Sequence, residues 1–435
     1  MYDYDVLVAG AGMSGVCAAV SAARNGCKVC LVEQSMVLGG LGTGGLVTSL
    51  IAPENDFGGI GREILDKMYE KGALGCNVQK GEYTFAPYNN EEMKLTLDEL
   101  VSEQPGIELL LYTKIISAER RDGIINGITV SAYEGIRTLT AQVYIDATGD
   151  GALSVFCGED YEYGDENEKI QAATLTAYYA DIDYQKLNGF IEENNNDFIG
   201  IIRRTVPQAV KDGVLSAVDF HHPGAIRIGE NYGMINAGHL YGMPLKTSVD
   251  FTRAMIAGRK QAREYYEFYK RYMPGCENIV YMATGSVLGT RETRRVIGCH
   301  ITDYKDKTAY KKYEDGIMRY QGGPSYDLHA SSNEKEDYEK YFEKYTAQEE
   351  RTGDYALFPF SSLRAARNRN LLLAGRCASM DRMVNAQNRV MGYCCMMGQA
   401  AGTAAALAAR DGILPGEIYI PALQERLRKD GIPNI

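Results

Sequence analysis

The stretch Asp5–Glu33, "DVLVAGAGMSGVCAAVSAARNGCKVCLVE", decides the fold of this 435-residue chain. Its valine-rich opening ends at a glycine, as a buried parallel strand does. Ala18, Ala19, Ala22 and Ala23 then recur at helical spacing up to Gly26, a C-terminal stop. "KVCLVE" reads as a second strand. At the first turn of this β–α–β unit stand Gly10, Gly12 and Gly15, in the order G-x-G-x-x-G. The first makes a tight turn, the second lets backbone approach a pyrophosphate, and the third lets helix and strand pack closely. The helix N-terminus offers free N–H groups and a positive dipole end. Glu33 closes the second strand, where a carboxylate accepts from both ribose hydroxyls and repels a 2′-phosphate, so NADP is disfavoured.

The choice between NAD and FAD falls to three later stretches. "LGGLGTGGLV" (Leu38–Val47) is glycine-dense and suits backbone passing tightly over an extended cofactor. "AQVYIDATGDGA" (Ala141–Ala152) is another apolar strand ending at a glycine turn. "NRNLLLAGRCAS" (Asn368–Ser379) is a third, followed by the small-residue helix "RVMGYCCMMGQAAGTAAALAA". A nicotinamide dinucleotide needs no such late return of the chain. FAD, which is longer, needs a second contact surface near its flavin.

With these stretches in hand, the chain resembles the FAD-dependent oxidoreductase family of the glutathione-reductase-type flavoprotein superfamily over nearly its whole length. The fingerprint, "GGLGTGGLV", "IDATGDG", "GTRETRRVIG" (Gly289–Gly298), "YDLH" (Tyr326–His329) and "LLLAGRCAS…RVMGYCCMMGQAAGTAAA" carry the resemblance. It implies that Gly10, Gly12, Gly15, Glu33, Gly40, Thr43, Gly149, Asp150, Gly375 and Arg376 line FAD. Two departures stand out. Arg382 occupies a place where many relatives carry histidine, and Gly392 stands where proline usually opens the last helix.

The expected architecture is α/β. A Rossmann-like FAD-binding domain (parallel sheet plus β-meander, residues 1–155 and 355–435) carries an inserted mixed α+β substrate or cap domain at 156–354. "NNEEMKLTLDELVSEQ" predicts a helix and "IELLLY" a third strand. Turns at Asp122-Gly123, Asn126-Gly127 and Glu134-Gly135 predict the meander. "VDFTRAMIAGRKQAREYYEFYKRYM" predicts the insert's main helix, and the charged segment near Ser331–Asp354 a solvated surface.

Lys+Arg 46 against Asp+Glu 57 gives a net charge of −11, which argues against nucleic acid as a partner. No apolar run of membrane-spanning length occurs. The acidic opening "MYDYD" reads as lacking a signal peptide, and the expected compartment is the cytoplasm. Ten scattered cysteines read as buried free thiols, against iron–sulfur, zinc or dithiol chemistry, with the vicinal Cys394–Cys395 left open.

Catalysis requires a substrate carbon placed over the flavin N5 and a donor for charge on the reduced ring. The helix start at Val390, Met391 and Gly392 is the candidate donor, unless Gly392 serves tight packing alone. Arg291, Arg294 and Arg295 lie in "TRETRR"; an arginine fork binds carboxylates, while Glu292 offers a surface ion-pair cluster as the plain alternative. The resemblance favours a catalytic role for Arg291 and Arg294, and raises His329 as acid or base. Thr43 is a further candidate beside N5 or substrate. His221-His222 lack a supporting metal ligand set, and no metal is expected. The 31 tyrosines offer stacking platforms or plain half-buried packing. The expected activity is hydride transfer between FAD and a small organic, anionic substrate, as dehydrogenase or alkene reductase. An electron-transfer subunit working with a redox partner is the alternative, and homo-oligomerisation stays open.

Overall fold

The computed structural model describes residues 2–53, 56–219, 224–323, 327–334 and 354–435. His221, His222, Tyr326 and most of the charged segment before Asp354 lie outside the described residues.

Five short apolar runs become one parallel sheet. They are β1 (Tyr4–Ala9), β2 (Val29–Val32), β3 (Ile107–Leu110), β4 (Ala141–Asp146) and β5 (Leu371–Leu373), arranged β5-β4-β1-β2-β3. Val6 of β1 pairs with Val29 on one side and Val143 on the other, so the fingerprint strand is central. This is the Rossmann-like sheet the sequence predicts. The chain leaves it after β4 and returns some 225 positions later, between Asp146 and Leu371, to add β5.

α1 (Met13–Arg24) follows β1, α2 (Ser248–Tyr272) is the long helix of the insert, and α3 (Met391–Asp411) follows β5. α3 lies almost on the backbone of α1. A Cβ built on Gly398 would sit 2.0 Å from the Ser14 carbonyl oxygen, and one on Gly402 2.1 Å from that of Ala18. Such proximity explains the alanine and glycine content of both helices, since any larger side chain would hold them apart. The hydroxyls of Ser21 and Thr403 bond each other across the seam at 2.8 Å.

The meander forms from Lys114–Arg121, Ile124–Ala132 and Gly135–Leu139. Two of its three predicted turns are real. The third, Asn126-Gly127, lies within the middle strand, where Gly127 faces Glu119 and Ile125 faces Arg120. Asn126 is thus the extra residue of a β-bulge, the other use of a turn-forming residue in a strand.

Four strands of the insert form an antiparallel sheet in the order Gly224–Arg227, Gly233–Asn236, Ala177–Ala180, Val280–Thr284. α2 opens on a reciprocal cap between Thr247 and Asp250 and packs Tyr265, Phe268 and Tyr269 against Tyr179 of that sheet. The Tyr179 hydroxyl donates to the Ala262 carbonyl at 2.7 Å. Tyr179 is thus a packing residue with a satisfied polar tip, and Tyr265 and Tyr269 are buried beside it. No helix among the described residues is long and apolar enough to cross a membrane.

Eight of the ten cysteines are buried, while Cys76 and Cys299 are exposed, which corrects the expectation for those two. Cys27 and Cys30 stand in C-x-x-C spacing, a pair the reading of scattered cysteines passed over. Burial pushes their thiols up to about 11 and about 12, so neither is an activated thiolate. Native protein should therefore yield two fast-reacting thiols to an aromatic disulfide reagent at neutral pH, and the remaining eight only on unfolding.

Candidate active site

A cavity of about 1630 Å³ runs along the C-terminal ends of the parallel strands and on between the sheet and the insert. Gly10, Gly12, Glu33, Gly40, Gly149, Asp150, Gly375, Arg376, Val390 and Met391 all line it, as do Arg291, Arg294 and His329. Gly15, Thr43 and Gly392 do not.

At the fingerprint end, Gly10 has φ +87°, and a Cβ there would meet Ala147 and Thr148 backbone at 2.8 Å. A Cβ on Gly12 would meet nothing within 4 Å, so the space over the turn belongs to the cavity. α1 starts there without a side-chain cap, leaving first-turn N–H groups for a ligand. The Glu33 carboxylate accepts from Ala11 N and Ser35 N, both at 2.8 Å, which locks it at the cavity edge. Across the strand ends, Asp150 pairs with Arg376 at 2.8 Å and its carbonyl accepts from Arg294 Nε at 2.7 Å. Arg294 thus ties the insert to the Rossmann-like sheet.

Two expectations are corrected. Thr43 is fully buried, and its hydroxyl donates to the Leu38 carbonyl. It braces the glycine-rich loop, because a carbonyl buried in that loop needs a donor. Gly392 serves packing: a Cβ there would meet the Ile51 oxygen and Ala52 Cα at 2.7 Å. The first turn of α3 still faces the cavity through Val390 and Met391, again without a side-chain cap.

At the far end the "TRETRR" block divides. Arg295 bonds Glu292 at 3.1 Å and Glu162 at 3.0 Å, and Arg382 bonds Glu292 at 2.9 Å. The ion-pair cluster therefore exists, but Glu292 is 1% exposed, so it is a buried clamp and not a surface one. Arg382, one of the two departures noted from the resemblance, belongs to this clamp.

Arg291 behaves differently. It is 7% exposed, and its Nη1 donates to the Ala172 carbonyl at 2.6 Å and to Thr174 Oγ1 at 2.9 Å. Both acceptors are neutral, and no ion pair joins it to a carboxylate among the described residues. Burial, reinforced by nearby Arg389, brings its guanidinium down to about 10.

His329 is 8% exposed, with its Nε2 3.3 Å from Asp327 Oδ1 and its Nδ1 3.0 Å from His239 Nε2. His239 in turn places Nδ1 2.9 Å from Asp219 Oδ2. Arg389 grips Asp327 through Oδ2 at 2.9 Å and the carbonyl at 2.8 Å. Burial opposes ionisation of Asp327, yet His329 and Arg389 outweigh it and hold the carboxyl well below the usual range. Asp219 is likewise held at about 2 by His239 against burial. The sequence reading missed His239, Asp219, Asp327 and Arg389.

This cavity fits a dinucleotide with a flavin. It has an open turn at Gly12, an acid beyond the second strand and two uncapped helix starts on one wall. A family model described as FAD dependent oxidoreductase matches residues 5–427. The chain belongs to that family. Its cofactor is FAD. A dihydrolipoyl dehydrogenase from Chlorobaculum parvum is 29% identical over 151 residues, covering 34% of this oxidoreductase and 30% of the dehydrogenase. A thiamine thiazole synthase from Pyrococcus horikoshii is 24% identical over 188 residues, covering 39% and 70% respectively. Among solved structures, a geranylgeranyl bacteriochlorophyll reductase-like protein from Thermoplasma acidophilum aligns with a TM-score of 0.45 at 12% identity, over 98% of this chain and 82% of that one. The oxidoreductase thus matches under a third of the dehydrogenase's length.

The buried clamp sets a further expectation. Glu292→Gln leaves Arg295 and Arg382 without their common carboxylate, which costs about 3–5 kcal/mol where a buried pair is broken. Chemical denaturation should show that loss as a lower midpoint.

Proposed function

We propose that this FAD-dependent oxidoreductase moves a hydride to or from a small organic anion, with Arg291 binding the negative group and His329 exchanging the proton. The observation that carries the reading is the buried guanidinium of Arg291 on the cavity wall, which makes no ion pair with a carboxylate among the described residues. A cation held out of water is costly unless a counter-charge arrives, and its planar fork suits a carboxylate.

Bound FAD supplies a ring that accepts or gives a hydride. The residues do the rest. Arg291 orients the substrate by its charged end, the first turn of α3 offers N–H groups to negative charge, and His329 meets the substrate at Nε2. The acidic surface, at net charge −11, supports a small-molecule partner over nucleic acid. A cytoplasmic location is part of the same proposal.

The test follows the yellow absorption of the holoprotein under anaerobic conditions. If the enzyme is a dehydrogenase, a panel of 2-hydroxycarboxylates bleaches it. If it is an alkene reductase, 2-enoates restore colour to protein reduced with dithionite. In either case the methyl esters should react far more slowly. Esters that react as fast as acids overturn the role of Arg291. No change with either class overturns the reading in favour of electron transfer to a protein partner.

A further inference from the structure

We infer that His239 and His329 form one proton-holding unit, three ring protons and one shared positive charge, anchored by Asp219 and opening on the cavity at His329. The inference takes from the proposed function only that His329 faces substrate.

The proton count follows from the contacts. His239 Nδ1 faces Asp219 Oδ2 at 2.9 Å, and His329 Nε2 faces Asp327 Oδ1 at 3.3 Å. An ionised carboxylate is an acceptor only, so both outer ring nitrogens carry protons. The inner contact, His239 Nε2 to His329 Nδ1 at 3.0 Å, needs one proton between two nitrogens. Two neutral imidazoles hold two protons; this pair holds three. The extra charge is one, shared across the bridge.

The surroundings fit that charge. Asp219 also accepts from the Tyr241 hydroxyl at 2.9 Å and from the His239 backbone N–H at 3.1 Å. Asp327 is shared with Arg389, and Arg291 completes the charged set around the pair. Among the described residues, these two carboxylates, two arginines and one shared imidazolium sum to a single excess positive charge, the complement of a monoanion. Position is fixed as well. His239 sits in a two-residue strand paired with Thr174, whose hydroxyl receives Arg291. Its ring centroid lies 5.2 Å from that of His329, with the planes 27° apart as an edge-to-edge bridge allows, and 5.7 Å from that of Tyr241. The His329 backbone N–H is held by Gln171 Oε1 at 2.9 Å.

Such a unit gives up one proton at the loss of only the contact between His329 Nε2 and Asp327. In reduction of a 2-enoate, the N–H bond at His329 Nε2 breaks and its electron pair stays on nitrogen. The proton would form a C–H bond at the carbon beside the one that takes a hydride from FAD already reduced by an external donor such as dithionite. Both rings are then neutral, with the Asp219 and bridging hydrogen bonds unbroken. His239 is thus a positioning residue: it makes His329 a donor at Nε2 by occupying Nδ1.

The test is nitrogen NMR of FAD-loaded protein labelled with 15N-histidine, at neutral pH and without substrate. The chain has five histidines, so His239→Gln and His329→Gln assign the pair. Three of the four ring nitrogens should report as protonated. Asp219→Asn should reduce the number to two while the flavin absorption spectrum stays unchanged. Two protonated nitrogens in the wild-type protein, or three retained in Asp219→Asn, overturn the inference. If Asp219→Asn does not fold, Asp327→Asn takes its place and must lower the count in the same way, because its carboxylate faces the open cavity. The readout involves no turnover, so failure of the acid panel and failure of the proton count are separate results.

Discussion

Gly15→Ala is expected to lose both stability and flavin, whereas Gly12→Ala keeps its stability and loses only the flavin. The difference lies in what each new methyl meets. At Gly15 the Cβ would stand 1.8 Å from the Gly10 carbonyl oxygen, a backbone atom that cannot turn aside. α1 must back away from β1, and with α3 seated on α1 the displacement spreads. Overpacking costs about 1–3 kcal/mol where side chains can yield, and here backbone must. At Gly12 the methyl enters open cavity, and φ of −63° suits alanine without strain. The apoprotein of Gly12→Ala should then melt with the wild type. Its methyl takes up room the pyrophosphate needs, and a clash of about 3 kcal/mol lowers affinity about 100-fold. Stripping both variants of flavin, measuring Tm, and titrating FAD back by fluorescence quenching separates the two effects. Wild-type affinity in Gly12→Ala would mean the pyrophosphate does not cross this turn.

The contrast also shows why some of the molecule was legible in sequence. The fingerprint is local: strand, turn and helix lie within 29 residues, and Gly15 answers a steric demand made by Gly10, five residues away, although Gly10 itself is confined by Ala147 and Thr148 beyond β4. β5 was legible as an apolar run ending at Ala374-Gly375, and α3 because its small residues repeat the same demand from the far end. Thr43 and Gly392 were misread for the opposite reason. Sequence put both beside the flavin, but which way a side chain points depends on the fold of the loop. Thr43 turned inward to satisfy the Leu38 carbonyl, and the missing side chain of Gly392 admits the Ala52 backbone. The histidine pair was illegible altogether. His239 and His329 are 90 positions apart, and they meet only because Thr174 pairs with His239 while Gln171 holds the backbone of His329. No spacing rule links those segments, and His239 in "NAGHLYG" has no motif around it. Arg291 was set apart from Arg295 through the resemblance; the residues alone did not separate them, and what does is that Arg295, equally buried, bonds Glu292 and Glu162.

That distinction leads to the largest functional effect expected here. Arg291→Met should cut kcat/KM for the anionic substrate about 10–150-fold, the equivalent of about 1.5–3 kcal/mol for hydrogen bonds to a charged group. The methyl ester should be affected little, so preference for acid over ester collapses. Stability should barely move, because two effects oppose. Replacing a buried charge with an apolar residue of similar size stabilises by about 1–4 kcal/mol. The Ala172 carbonyl and Thr174 hydroxyl lose their donor, which costs about 1–3 kcal/mol. A residue 7% exposed would thus be dispensable to the fold and essential to the substrate. Arg291→Lys sharpens the point through pH. The wild-type guanidinium keeps its charge up to about 10. A lysine in the same buried place starts lower and is depressed further by the same desolvation. A cation with a lowered pKa is charged below that pKa and neutral above it. Affinity for the anion in Arg291→Lys should therefore fall as pH rises through the alkaline range where the wild type still binds. Equal pH profiles for acid binding in the two proteins would place the anion somewhere other than on this side chain.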